Sequence, residues 1–251
     1  MAAEYQVYMC LMLAPRLLYL RKDAPAGWRF ALGLGIVQIT LVLLAFGFGG
    51  VSLLACLAAV LFTIIGGGLE QRLPLHWCRL ASLAVLALVP ALFYPLTGPF
   101  VFTALATQFG EFWGQVAAVL FGQDRMNDSS FVSVVLALLL LANEVNIAMR
   151  GMLHALGLVP VLNGSTPQAD GDPSATDVRE YNAGRVIGIL ERWLMFVVVL
   201  LADDWSALGF IIAAKGLVRL EKLKDPVFAE YMLVGTLMSA LFAIAVASWV
   251  P

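Results

Sequence analysis

Long apolar runs separated by short polar stretches dominate this chain of 251 residues. A helix needs about 20 mostly apolar residues to cross a bilayer. Seven runs meet or approach that length: 28–48, 51–69, 79–96, 130–153, 184–202, 205–220 and 227–250. The pattern therefore predicts an all-α fold, a polytopic transmembrane helical bundle of about seven spans with additional interfacial or re-entrant helices.

Two further apolar stretches match a span less well. Residues 5–20 are short and interrupted by Pro15 and Arg16, which favours a half-inserted or interfacial helix, with an eighth span as the alternative. Residues 99–121 contain Glu111 and two glycines, which favours a re-entrant or surface-lying pair of short helices. Both stretches are therefore predicted to touch the membrane without being counted among the seven spans.

A polar stretch at residues 159–182 divides the apolar pattern. It is rich in Gly, Pro, Ser, Thr and Asp, which are typical of turns and unstructured linkers. The sequence thus predicts an N-terminal membrane half at 1–158, with about four spans plus interfacial helices. A cytoplasmic linker at 159–182 and a C-terminal three-span module at 183–251 follow. No internal repeat is evident, which argues against an inverted-repeat transporter.

The distribution of basic residues predicts the orientation, because cytoplasmic loops carry an excess of Lys and Arg. With a cytoplasmic N-terminus and seven spans, Arg125 is the one residue among 15 Lys and Arg that falls in an outer loop. We therefore expect a multi-pass protein of the bacterial inner membrane, with its N-terminus in the cytoplasm and its C-terminus outside.

Composition supports this class and excludes others. The chain is 61% hydrophobic and 13% charged, whereas soluble domains carry about 25% charged residues. A net charge of -2 gives no indication of nucleic-acid binding. Cys10, Cys56 and Cys78 are widely spaced and form no metal or disulfide pattern, and no ligand set can be assembled around His154. We therefore predict no metal and no cofactor.

Charged and amide side chains inside the apolar runs form the candidate site. A charge at the centre of a membrane helix costs roughly 2.5–3.5 kcal/mol even on insertion scales. In the run 130–153, helical spacing aligns Asn143, Asn146 and Arg150 in a polar stripe, with Glu144 about 100° away. Similar residues lie in the inner part of the last three runs. The candidate ligand-binding or polar cluster is Asn143, Glu144, Asn146, Arg150, Glu191, Arg192, Lys215, Arg219 and Glu230.

The near-balance of charge leaves the role of this cluster open. A transporter or binding protein would use it as a cytoplasm-facing site for a small polar or anionic ligand or a lipid headgroup. A structural membrane subunit would use it as an interhelical salt-bridge network, holding a partner subunit or forming a homo-oligomer. A membrane-embedded enzyme would use Glu191 or Glu144 as a general base, but no catalytic motif is recognisable. The catalytic residues, if any, are unknown; Glu191 and Lys215 lie deepest and are the first candidates for function.

Three C-terminal stretches match a wider pattern: GRVIGILER at 184–192, ALGFIIAAK at 207–215 followed by Arg219, and FAEYMLVGTLMS at 228–239. Together they resemble a recurring C-terminal module of bacterial polytopic membrane proteins of unknown function. Relatives can carry a His and an Asp in an N-terminal apolar segment, and the first twenty residues here contain neither. The resemblance implies no substrate. It points to the charged residues Glu191, Arg192, Lys215, Arg219 and Glu230.

Overall fold

A computed structural model describes residues 3–21, 25, 27–97, 100–121, 128–157, 175–201, 205–218, 220, 224 and 226–250. This part of the chain is all-helical, as predicted. Its α-helices are α1 (Ala3–Arg16), α2 (Trp28–Phe46), α3 (Gly50–Leu69), α4 (Leu75–Thr97), α5 (Ala104–Phe121), α6 (Asp128–Leu139), α7 (Val145–Ala155), α8 (Ala175–Leu201), α9 (Trp205–Val218) and α10 (Pro226–Ala247). A 3-10 helix, Leu17–Arg21, follows α1, and a π-helical segment, Leu140–Glu144, joins α6 to α7.

Five helical segments of the described chain are long and apolar enough to cross a membrane: Trp28–Phe46, Gly50–Leu69, Leu75–Phe93, Ser130–Ala155 and Ala229–Ala247. They correspond to five of the seven predicted spans. The other two differ, because α9 is apolar over a shorter length and α8 carries Arg185, Glu191 and Arg192 within its apolar part. Length and composition therefore support five spans.

The chain forms two compact units, Met1–Ile147 and Ala148–Val250. The division between them lies within α7, whereas the sequence placed it in the polar stretch 159–182. Helix α8 begins at Ala175, so the last part of that predicted linker is helical. The hydrophobic pattern missed these turns because they contain mostly polar residues. Residues 159–174 lie outside the described part of the chain.

Helix α1 is a core element of the first unit. It packs against α2 and α6, while α3 packs between α2 and α4. Tyr8, Met12 and Leu13 of α1 are buried almost completely. Gln6 and Arg16 of α1 are buried in the protein, and the interfacial position and the alternative of an eighth span stay predictions. At 1.5 Å per residue α1 is about 21 Å long, so half-insertion stays a prediction.

Two polar side chains show why α1 can be buried. Pro90 in α4 has no N–H, so the Leu86 carbonyl one turn earlier loses its helical donor. The Tyr8 hydroxyl donates to that carbonyl at 3.0 Å. On the opposite side, the Gln38 side-chain amide of α2 donates to the Met12 carbonyl at 3.0 Å. The Tyr8 bond satisfies a carbonyl that would otherwise be costly to bury, and the Gln38 bond joins α2 to α1.

Helix α5 lies where helices were predicted, but it is a single helix. The sequence favoured a pair of short helices over 99–121, and the structure has one helix, Ala104–Phe121. Most of its described side chains are exposed, including Phe109 and Phe112.

The second unit comprises the end of α7 together with α8, α9 and α10. Helix α8 packs against both α9 and α10. Its core includes Met195 and Phe196 of α8, with Ala240 and Ala243 of α10. The small residues on α10 let the helices approach closely. This packing holds the charged residues of α8 beside α9.

Candidate functional site

The candidate site of the first unit is built around the π-helical segment Leu140–Glu144. The Val145 N–H bonds to the Leu140 carbonyl, five residues back, so this turn contains one residue more than an α-helical turn. The segment carries Asn143 and Glu144, both about 3% exposed. Single π-turns are rare and occur frequently at functional sites. The π-helical segment thus carries a carboxylate that lies in the core of the first unit.

Glu144 forms a two-pronged ion pair with Arg16. The Arg16 Nε donates to Glu144 Oε1 at 2.7 Å, and Nη2 donates to Oε2 at 3.0 Å. The same guanidinium also donates to the Ser82 hydroxyl and to the Arg79 carbonyl, both at 2.9 Å. Asn143 adds a third bond to the carboxylate, donating to Oε1 at 2.9 Å. Every nitrogen of the guanidinium and both oxygens of the carboxylate are thus hydrogen-bonded.

A second ion pair lies beside the first. Arg79 Nε donates to Glu70 Oε1 at 3.1 Å, and both residues are buried. The Tyr19 ring lies 4.2 Å from the Arg79 guanidinium carbon and 5.6 Å from that of Arg16, so both cations can contact its π-face. Burial raises the pKa of the Tyr19 phenol, and the two guanidiniums oppose that rise. We call Arg16, Glu70, Arg79 and Glu144, with Tyr19, Ser82 and Asn143, the buried ion network.

The buried ion network contains two cations and two carboxylates, so its charge is balanced. Burying each ion costs several kcal/mol, which good geometry and further hydrogen bonds must offset. Those conditions are met around Arg16 and Glu144. The network connects α1, α4 and the π-helical segment, and the charged groups of Arg16 and Glu144 are fully hydrogen-bonded. It is suited to fixing these helices in place.

The candidate site of the second unit is simpler. Lys215 Nζ of α9 donates to Glu191 Oε2 of α8 at 2.5 Å, and the side chains are 20% and 19% exposed. Within the described part of the chain, neither side chain makes another hydrogen bond. The ammonium has three N–H donors and a carboxylate has about four acceptor positions. The Glu191–Lys215 pair therefore retains unused hydrogen-bonding capacity.

Arg192 follows Glu191 but is directed elsewhere in the same unit. It is about 3% exposed, and its Nη1 lies 3.7 Å from the Met149 sulfur, a weak acceptor. Gly188, one turn earlier on α8, leaves space beside this guanidinium. Arg150 is partly buried in this unit as well. The pair is thus accompanied by further cations on α7 and α8.

The remaining predicted site residues have different surroundings. Asn146 is partly buried and Glu230 is exposed, while Arg219 lies outside the described residues. The structure brings together Asn143 with Glu144, and Glu191 with Lys215. The first unit contains Asn143, Glu144 and Asn146. The second unit contains Arg150, Glu191, Arg192, Lys215 and Glu230. A single cluster that includes all nine residues stays a prediction.

Sequence reasoning missed Arg16, Glu70 and Arg79. The topology assigned Arg79 to a cytoplasmic loop end, and Arg16 counted as an interruption of an apolar run. One signal could have identified Arg16: a guanidinium in an otherwise apolar segment needs a buried carboxylate, and Glu144 was available. In the described part of the chain, no group of three or more His, Cys, Asp or Glu residues could hold a metal ion.

Comparison with known proteins gives no relative for this chain. No family model, no curated protein and no solved structure matches it. The resemblance of its C-terminal stretches to a bacterial membrane-protein module stays a prediction. The two ion-pair sites are therefore the features from which a function can be inferred.

Proposed function

We propose that the protein is a multi-pass protein of the bacterial inner membrane, with α8 and α9 crossing the bilayer in addition to the five apolar segments. The Glu191–Lys215 pair supports this, because mutual neutralisation lowers the cost of placing α8 and α9 in hydrocarbon. The concentration of Lys and Arg on one side of the seven-span topology supports a cytoplasmic N-terminus and an outer C-terminus.

Within that membrane domain, the second unit acts as a binding or transport site for a small polar or anionic ligand or a lipid headgroup. The observation that carries this proposal is the partly exposed Glu191–Lys215 pair with its single hydrogen bond. An anionic group can take the unused donors of Lys215 or replace Glu191 as its partner.

Water access at this pair is the test. In a cysteine-free background, single cysteines at Gly188 and Ala214 are exposed to a membrane-impermeant thiol reagent in inside-out vesicles. Both positions are partly buried, and a side chain at Gly188 meets ordinary contacts. A cysteine at Ala243, which is fully buried, is the matched control. We expect rapid labelling at the first two positions and none at the third.

Ligand chemistry is tested with two probes, inorganic phosphate and phosphatidylglycerol. At least one of them is expected to raise the thermal stability of the detergent-purified protein, and the increase should disappear in Lys215→Gln. A response to phosphate indicates a free anion, and a response to phosphatidylglycerol alone indicates a lipid headgroup. A dry site at Gly188 and Ala214, with no response to either probe, would reject a binding site.

A second function is favoured by the first unit. The buried ion network is balanced and hydrogen-bonded, as expected for a structural or partner-binding membrane subunit. On this alternative the Glu191–Lys215 pair also has a structural role and holds α8 against α9. Glu191→Gln should then reduce stability as strongly as Glu144→Gln, without changing any binding.

A further inference from the structure

Helix α5 presents an apolar surface that the first unit leaves uncovered. Leu105, Phe109, Phe112, Trp113 and Val119 are between 42% and 85% exposed. Phe109 and Phe112 both contact the Trp113 ring edge-on, with centroids 5.9 and 5.8 Å apart. Aromatic side chains in such a group are costly to leave in water. A surface of this kind requires an occupant.

The start of α5 is fixed at the level where α2 ends. The Thr103 hydroxyl donates to the Leu44 carbonyl at 2.7 Å, and the Thr103 N–H donates to the Ala45 carbonyl at 2.9 Å. These carbonyls belong to the last turn of α2, where helical donors are lacking. The Phe102 ring stacks on Phe46, the final residue of α2, at 5.2 Å. Because α2 is long enough to cross a membrane, α5 begins at the membrane boundary.

The sequence of α5 separates apolar and polar side chains around the helix. At 100° per residue, an apolar arc of roughly 120° contains Leu105, Phe109, Phe112, Trp113, Val116 and Val119. A separate polar arc of roughly 100° contains Thr107, Gln108, Glu111 and Gln115. All four polar residues are exposed. Separation of this kind is typical of helices that lie in the plane of a membrane surface.

Charge identifies the type of surface. Helix α5 has no Lys or Arg, and Glu111 is its one charged residue. Helices that bind anionic lipid electrostatically are rich in basic residues on their polar face. The amides and the carboxylate of α5 fit water and zwitterionic headgroups, and its aromatic residues fit the membrane boundary where Trp concentrates.

We propose that α5 is an interfacial helix whose occupant is the boundary between headgroups and acyl chains of a neutral lipid surface. Its apolar arc is buried among the upper acyl chains and its polar arc faces water. This inference rests on the proposed membrane insertion of the protein. It gives the first unit a lateral anchor beside the outer end of α2 in the proposed orientation.

Single spin labels test the proposal residue by residue. In a cysteine-free background, labels are placed at Leu105, Phe109 and Phe112 on one arc and at Gln108 and Glu111 on the other. All five positions are exposed, so labels there should not disturb folding. The protein is reconstituted in phosphatidylcholine vesicles, and collisions with oxygen and with a water-soluble nickel chelate are measured.

We expect the apolar arc to collide with oxygen at a depth of about 5–10 Å, and the polar arc to collide with nickel. A steady increase in depth along the helix to the bilayer centre would show a span and overturn the proposal. Low collision with both reagents on the apolar arc would show a protein partner, including a second copy of this chain, and would also overturn it.

Ile36 provides the control that separates this proposal from membrane insertion itself. It is 54% exposed near the middle of α2, so a label there should report the deep acyl region whatever α5 does. An aqueous signal at Ile36 would reject both proposals. A deep signal at Ile36 with an aqueous apolar arc would reject the role of α5 alone.

Lipid charge is the second variable. Adding phosphatidylglycerol should leave the depth of the Phe109 label unchanged, because α5 has no cation to attract it. In Glu111→Lys, the same addition should make the label deeper. A deeper label in the parent protein would contradict the assignment to a neutral surface.

Discussion

The two ion-pair sites differ in how completely each charge is hydrogen-bonded. In the buried ion network, Arg16 and Glu144 are almost inaccessible, and each nitrogen or oxygen has a partner at 3.0 Å or less. Glu191 and Lys215 share one hydrogen bond and are about one-fifth exposed. One ion pair thus fixes helices in the first unit, whereas the other leaves room for a new partner in the second.

This difference has an energetic consequence. A buried charge that loses its partner remains desolvated, and the loss is commonly 3–5 kcal/mol. An exposed pair is worth about 0–1 kcal/mol because water replaces the partner. Substitutions in the two units should therefore differ in their effect on unfolding, and this difference provides the first way to test the comparison.

The largest effect is expected for Glu144→Gln. It removes the counter-charge of Arg16 while keeping the shape of the side chain, so the free energy of unfolding should fall by about 3–5 kcal/mol. Equilibrium unfolding in detergent micelles measures the change. Replacing Arg16 and Glu144 together by Met is the control, because it leaves no unpaired charge and should cost less than the single change.

An exchange of charges at the same place sharpens this result. Arg16→Glu with Glu144→Arg should restore nothing, because the Ser82 hydroxyl and the Arg79 carbonyl are placed to accept guanidinium N–H groups. Restored stability would show that the network is a simple ion pair, and the contrast with the second unit would be lost.

A smaller effect is expected for Asn143→Leu. The side chain donates to a buried carboxylate, and a hydrogen bond to a charged group contributes about 1.5–3 kcal/mol. The free energy of unfolding should fall by that amount. Asn146→Leu, one turn further along the same helix, is the matched control and should change it less. Equal losses would mean that the π-helical segment has no special role in holding Glu144.

The smallest effect on unfolding is expected for Glu191→Gln. The pair is partly exposed, so the loss should be about 1 kcal/mol, between the values for exposed and buried pairs. Glu191→Lys with Lys215→Glu should restore it, because one hydrogen bond can form in either direction. A loss as large as that of Glu144→Gln would make the two sites equivalent and favour the structural function for both.

The sequence predicted the long helices well because their signal is local. The run 28–48 corresponds to Trp28–Phe46 and the run 51–69 to Gly50–Leu69. Each is a continuous apolar stretch limited by glycines or polar residues. The early start of α8 at Ala175 was missed because its first turns are polar, so hydropathy does not report them.

Contacts between helices that are far apart in the sequence were predicted less well. Helical periodicity places Glu144 on a face of its helix but does not say which helix packs there. A π-turn adds one residue to the helical turn, and hydrophobic periodicity does not reveal it. Glu191 and Lys215 were identified more easily because their helices are consecutive and short connections favour antiparallel neighbours.

The buried ion network also constrains the order in which the chain enters the membrane. Arg16 and Glu144 are 128 positions apart, and synthesis at 5–20 residues per second separates their appearance by roughly 6–26 s. During that interval the Arg16 guanidinium lacks its direct partner, Glu144. We therefore expect α1 to wait at the membrane surface until the π-helical segment has been made. Cys10 is a native reporter: an impermeant thiol reagent should label it in nascent chains arrested before Glu144 and not in chains arrested well beyond it. Protection of Cys10 from the reagent in both would show early entry and contradict this order. If α1 does wait, the first helix to be translated is among the last to insert.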